Sequence, residues 1–268
     1  MTAIALTIAG SDSGGGAGIQ ADLKTFSALG VYGASVLTAI TAQNTLGVSA
    51  VEDVSVPMIE AQMRAVLSDL PVNAIKIGML SRAETIRAVG DSLQKYDGPI
   101  VLDPVMVATS GDRLLRDDAV AALKSILMPR VDLITPNLLE AAMLTGMPIA
   151  ETHDEVVAQG RSLQSNGAPA VLIKGGHGVG IECVDVLLTK DGDSHQFCSP
   201  RLQTFNDHGT GCTLSSAIAA HFATGYDILA GVTAAKTYLH AALTGGSDLR
   251  IGQGRGPVHH FFSQWRER

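Results

Sequence analysis

The sequence predicts an α/β fold in three layers, with helices on both faces of a mostly parallel central sheet and antiparallel strands at its edges. Three observations lead there. Short apolar runs alternate with amphipathic helical stretches along most of the chain, the pattern of right-handed βαβ crossovers. Late in the chain, two strand-like runs flank the turn KDGD (190–193) and read as a hairpin. The composition is 46% hydrophobic and 17% charged, enough apolar material to cover a sheet on both sides. The 268 residues suit one large domain, and no Pro/Ser-rich linker or charge run divides them. Residues 1–268 are therefore expected to form one domain.

Residues 4–9 predict a buried strand and 19–29 a helix closed by Gly30. A second strand is expected over 36–40. A helix follows over 57–67, with Pro57 at its favoured first position. Strand 74–77, helix 83–93 and strand 100–103 come next. Residues 117–127 predict a helix with an acidic start. Then come strand 133–135, helix 138–145, helix 155–164 and strand 171–174. The hairpin pairs 184–188 with 194–198. Two helices, 212–223 and 228–243, complete the order.

Lys and Arg number 19 against 26 Asp and Glu, a net charge of −7. That balance argues against nucleic-acid or anionic-membrane partners, which need basic patches. Three cysteines, Cys183, Cys198 and Cys212, form no CxxC pair. Neither a disulfide framework nor a zinc site is indicated, and a reducing, cytoplasmic setting is expected. The apolar start lacks a basic flank and no apolar stretch reaches the ~18 residues of a membrane span.

In open sheets of this kind ligands sit beyond the carboxyl ends of the strands, and three residue sets fall there. The first is GSDSGGGAG (10–18), a turn from strand to helix whose backbone amides can face an anion or a polar ring. A plain tight turn needs the same small residues, and both readings stay open on the residues alone. No GxxxxGK[ST] occurs anywhere, which excludes a Walker A loop. The second is DHGTGC (207–212) before an apolar helix. Gly209 and Gly211 let successive amides converge, and the helix start adds partial positive charge. Such a site suits a transferring phosphoryl group. The same helix start should lower the Cys212 thiol's pKa. The third set is Asp103, Asn137, Glu140 and Lys174. Carboxylates beside an Asn can hold Mg²⁺, mostly through water, and a lysine can neutralise phosphate oxygens. Singly, Asn137 and Glu140 also suit a helix start. His259 and His260 lack metal-ligand company and are expected to pack or face solvent. His208 is given no role.

Together, AGSDSGGGAGIQADLKT (9–25), TAQNT (41–45), IKIGML (75–80), VLDPVM (101–106), TPNLLE (135–140), LIKGGH (172–177) and HGTGCTLS (208–215) resemble the hydroxymethylpyrimidine/phosphomethylpyrimidine kinases of thiamine biosynthesis. These belong to the ribokinase superfamily. The likeness runs from about residue 4 to the GPVHH tail (256–260). It implies a ribokinase-like fold and ATP-dependent phosphorylation of 4-amino-5-hydroxymethyl-2-methylpyrimidine, first to the monophosphate and then to the diphosphate. A pyridoxine or pyridoxal kinase is the alternative, and a non-catalytic binder a more remote one. By match to the family motifs, Gln43 holds the pyrimidine edge, Asp22 lies near the hydroxymethyl group, Met79 and Val107 pack on the ring, and backbone around Ala17 borders it. Gly209, Thr210, Gly211 and Cys212 resemble the family's anion hole, with Cys212 as general base. Lys174 matches a position at the ATP phosphates, and Asp103 and Glu140 positions around Mg²⁺. The adenosine pocket is expected between 205–225 and 230–245. A homodimer of cyclic symmetry is expected from the same resemblance.

Overall fold

The structure is a computed structural model that describes residues 2–106, 117–176 and 180–265. In chain order it gives β1 (Ile4–Asp12), α1 (Gly18–Ala28), β2 (Tyr32–Asn44), β3 (Gly47–Asp53), α2 (Val56–Asp69), β4 (Ala74–Ile77), α3 (Ala83–Ser92) and β5 (Ile100–Leu102). Then follow α4 (Asp117–Ala122), β6 (Leu133–Ile134), α5 (Leu138–Thr145), α6 (His153–Ser165), β7 (Ala170–Ile173), β8 (Glu182–Leu188), β9 (Ser194–Pro200), α7 (Thr210–Ala223) and α8 (Ile228–Gly245).

The strands join in the order β3-β2-β1-β4-β5-β6-β7-β8-β9. From β2 to β7 all pairings are parallel, and β3, β8 and β9 add antiparallel edges. This is the expected ribokinase-like architecture. The chain winds from β1 to β2 on one side and later to β4 on the other, so the order reverses at the end of β1. Ligand crevices form at such a point.

Period-2 alternation splits the buried residues into two cores. Leu6, Ile8, Ile75 and Ile77 pack against Ile59 and Met63 of α2, Ile86 of α3 and Leu144 of α5. Ala5, Ala74, Val101 and Leu172 pack against Phe26 of α1, Leu214 and Ile218 of α7 and Val232 of α8. The helix ends follow local chemistry. Gly30, at φ 75°, closes α1, and capping boxes start α5 (Asn137 with Glu140) and α6 (Thr152 with Glu155).

Two regions differ from expectation. The helix predicted over 117–127 is α-helical only to Ala122; Leu123–Leu127 is a π turn and Met128–Arg130 a 3₁₀ turn. Pro129 cannot donate into the ladder, and its ring crowds the carbonyl four residues earlier. β2 runs well beyond 36–40, and β3 was not foreseen. After Thr41, the last residue paired with β1, β2 continues as a hairpin arm with β3. β3 is half to fully exposed, so no buried face imposes an alternation on its sequence.

Candidate active site

Every residue singled out after a predicted strand lies at the carboxyl edge of the sheet. Met79 follows β4, Asp103 follows β5, Asn137 follows β6 and Lys174 follows β7. Backbone bonds lock this edge: the Asp103 amide donates to the Ile77 carbonyl at 2.8 Å, and the Lys174 amide to Pro136 at 2.8 Å.

The glycine-rich turn is built around an anion of the protein's own. The buried Asp12 carboxylate accepts from the amides of Gly14 at 2.8 Å, Gly16 at 3.1 Å and Ala17 at 2.8 Å, and His208 Nε2 lies 2.9 Å from its Oδ2. Burial works against its charge, but His208 and the amides outweigh it and hold its pKa low. Of the two readings the residues left open, these three amides follow that of a self-contained turn. Ala17 can border a substrate with its methyl group, since its amide is taken. Asp12 and His208 were both missed. His208 Nε2 also lies 3.4 Å from Gln43 Nε2, so the imidazole sits between this turn and the hairpin arm. The Ser13 hydroxyl fixes that arm, donating to the Gln43 carbonyl at 2.7 Å and accepting from its amide at 2.8 Å. The Gln43 side chain is half-buried and accepts from Thr41 Oγ1 at 3.1 Å. Met79 borders Gly10, where a Cβ would lie 3.3 Å from its sulfur. Val107 lies outside the described residues.

The α7 start is open. Gly209 caps it at φ 82° and offers no side-chain acceptor, so first-turn amides remain for a ligand. Position 209 must be glycine, because a Cβ there would overlap the Gly16 carbonyl oxygen. Thr210 donates its amide to Asp207 at 3.3 Å. Gly211 is close-packed: a Cβ would lie 3.3 Å from Lys174 Nζ and 3.6 Å from Asp103 Oδ2. Cys212 is a free thiol, and the Gly18 amide at the start of α1 favours its ionised form. The expected lowering of its pKa does not hold. Burial pushes it up to about 11, and the opposing pull of Lys76 and the Gly18 amide only limits the rise.

Around Lys174 the charges form a chain. Lys174 Nζ donates to Asp103 Oδ1 at 2.7 Å, and Asp103 also accepts from Thr135 Oγ1 at 3.2 Å and Ser215 Oγ at 3.2 Å. Asp103 stays below the usual carboxylate range: burial opposes its charge, but Lys174 and Lys76 prevail. Glu140 shows the reverse. Burial and the neighbouring Asp103 charge raise it to about 7, although Lys174 pulls it down. Its carboxylate accepts from the amides of Asn137 at 2.8 Å and Met106 at 3.4 Å. Among the described residues no cluster of three or more His, Cys, Asp or Glu could hold a metal. The Asp103–Glu140 pair nevertheless fits a hard cation that keeps its own water, since the Asp103 oxygens already have partners and Glu140, raised to about 7 by burial and by the Asp103 charge, gives up its proton readily to a nearby cation.

Asp22 is placed elsewhere than expected. It is 0% exposed, and its oxygens accept from Thr7 at 2.6 Å, Ser216 at 2.6 Å and Lys76 at 2.9 Å. Its oxygens are engaged beneath the surface by these three partners. Lys76 was also missed, although a lysine inside an apolar strand was a legible signal. His260 is a buried packing residue beside Thr213, with its pKa pushed down to about 3, chiefly by burial.

The phosphomethylpyrimidine kinase family model matches residues 12–259. The hydroxymethylpyrimidine/phosphomethylpyrimidine kinase of Rhizobium meliloti is 61% identical over 268 residues, covering 100% of both chains. A phosphomethylpyrimidine kinase structure from Clostridium difficile aligns with a TM-score of 0.79 at 46% identity, covering 89% of this chain and 98% of that one. The pyridoxal kinase of Staphylococcus aureus in complex with AMP-PCP and pyridoxal aligns with a TM-score of 0.88 at 32% identity, covering 97% and 94%.

Proposed function

The chain belongs to the phosphomethylpyrimidine kinase family, and on that premise we propose how its residues carry out the kinase reaction. The protein transfers the γ-phosphoryl group of ATP to 4-amino-5-hydroxymethyl-2-methylpyrimidine, and then a second one to the monophosphate. The observation that best supports the site assignment is the convergence of Cys212, Lys174 and Asp103 on the start of α7, which no side chain caps.

The hairpin arm and the glycine-rich turn form the ring side of the site. The Gln43 amide offers one acceptor and two donor hydrogens, complementary to an aminopyrimidine edge, and Met79 and Val107 pack on the ring. The hydroxymethyl group points to Cys212, which takes its proton as the oxygen attacks the γ-phosphorus. The amides of Gly209, Gly211 and Cys212 and the Lys174 ammonium face the charge that develops on the phosphoryl oxygens. Asp103 and Glu140 would hold, through water, a Mg²⁺ carried with ATP, which would supply neutralisation of phosphate charge. The adenosine lies between 205–225 and 230–245. The protein works in the cytoplasm as one domain in a cyclic homodimer. Among the described residues no helix is long and apolar enough to cross a membrane.

An ATP-dependent assay with the hydroxymethylpyrimidine, resolving mono- and diphosphate by mass, tests the function. Pyridoxal is the competing substrate. Faster turnover of pyridoxal than of the pyrimidine would overturn the assignment.

A further inference from the structure

A buried charge beneath Cys212 has no part in the mechanism above. α1 and α7 meet in two successive rungs. At the upper level the Gly18 amide, at the start of α1, favours the ionised form of Cys212 at the start of α7. The lower rung lies four residues on, one turn deeper, along both helices. There Ser216 donates to Asp22 Oδ1 at 2.6 Å.

Lys76 arrives at the lower rung from the sheet. Alternation along β4 sends Ile75 and Ile77 to one core and Ala74 to the other, and Lys76 shares the side of Ala74. Its ammonium donates to both Asp22 oxygens at 2.9 Å, while Thr7, from the matching side of β1, donates to Oδ2 at 2.6 Å. Both charged side chains are 0% exposed. A Cβ at position 78 would lie 2.8 Å from Nζ, so glycine there leaves the ammonium its place. Well-packed apolar residues would serve stability as well as a buried ion pair does, so stability alone does not account for this one.

We propose that Lys76 is a positioning residue for the base: its fixed ammonium lies one helical turn beneath Cys212 and stabilises the thiolate that accepts the substrate's hydroxyl proton, while Asp22 anchors and moderates that charge. In the step it serves, the hydroxyl proton passes to sulfur and the hydroxyl oxygen bonds to the γ-phosphorus. The bond from that phosphorus to the β–γ bridging oxygen breaks, and ADP leaves with the electron pair. The charges that act on the thiol are Lys76 from β4, Asp22 from α1, Asp103 after β5 and Lys174 after β7. Burial is the largest influence on the thiol and raises its pKa. Among the charges, Lys76 lowers it by more than Asp22 or Asp103 raises it.

The proposal rests on Cys212 as the base, but its test is thiol chemistry of the ligand-free protein and needs no turnover. The measurement is alkylation of Cys212 by iodoacetamide from pH 7 to 10, followed by mass, in a Cys183→Ser/Cys198→Ser background. Lys76→Met should slow alkylation by ~10-fold or more at a given pH, and Asp22→Asn should accelerate it by a comparable factor. Lys76→Met strands a buried carboxylate and risks unfolding. The neutral Lys76→Met/Asp22→Asn double variant supplies the second measure, and it should alkylate more slowly than the parent. Opposite shifts in the two single variants, or slowing in the folded double variant with acceleration in Asp22→Asn, support the proposal. Shifts of the same sign, or none, overturn it. If the shifts appear in a protein that does not phosphorylate the pyrimidine alcohol, the kinase assignment fails and the thiol–lysine coupling stands.

Discussion

If Cys212 is the base, it works from an unfavourable resting state, and the pH dependence of the first phosphorylation should show it. An ordinary thiol titrates near about 8.5, whereas burial raises Cys212 to about 11. The difference corresponds to about 3 kcal/mol against the thiolate. At pH 8 the thiolate is then about one molecule in 10³, a few hundred-fold less than for an ordinary thiol. A base must be deprotonated to act, so each pH unit below about 11 should cost a factor of about ten. The expected result is that kcat/KM for the alcohol rises with slope near +1 in log units from pH 7 to about 10. The step on the monophosphate should stay nearly flat, because its nucleophilic oxygen is already ionised. Cys212→Ala should remove the slope and lower kcat at pH 8 by ~10²-fold or more. ATP affinity should hardly change, since the α7 amides belong to the backbone. Steady-state kinetics of both steps on stable protein across that range is the assay. A plateau below pH 8.5 would show a preformed thiolate, and a profile flat in the alcohol step would show that no thiol is titrating; either refutes the reasoning.

Three further outcomes are expected. Gln43→Leu should weaken pyrimidine binding by ~2–4 kcal/mol through two lost hydrogen bonds and leave ATP binding intact; calorimetry with each ligand checks it, and unchanged pyrimidine affinity would move ring recognition elsewhere. In single-turnover kinetics, Cys212→Ser should damage the first step more than the second, whereas Lys174→Ala should damage the second at least as much, because two phosphate groups crowd there. Gly209→Ala should cost ~2 kcal/mol or more of stability in thermal or denaturant unfolding, from a left-handed conformation and a clash with the Gly16 carbonyl; a neutral effect would mean that the two glycine segments are not in contact.

Much of this arrangement was legible in the residues. The strands with a buried face announced themselves by their apolar runs, and the carboxyl-end rule put Asp103, Asn137 and Lys174 on one edge. What escaped notice depends on tertiary contact. β3 has no buried face, so its pattern carries no period. Asp12 looked like one more small polar residue in a turn, and only the folded chain shows its carboxylate filling the place assigned to a ligand. Asp22 matched a family motif, but the oxygens expected near substrate belong to Lys76, Thr7 and Ser216. The Cys212 prediction weighed the helix start and could not weigh burial, which depends on how α1 closes over α7.

The way Asp12 is held also bears on how this scaffold tolerates sequence drift and redesign. Three of its four partners are main-chain amides, which no side-chain exchange removes apart from proline. The remaining link, to His208, depends on a single side chain. Lineages or libraries can therefore vary Gln43 to recruit other ring edges while the loop keeps its shape, provided Asp12 and the glycines at 16, 18 and 209 stay. His208 is the position where a change of ring preference and a loss of loop order would be hardest to separate.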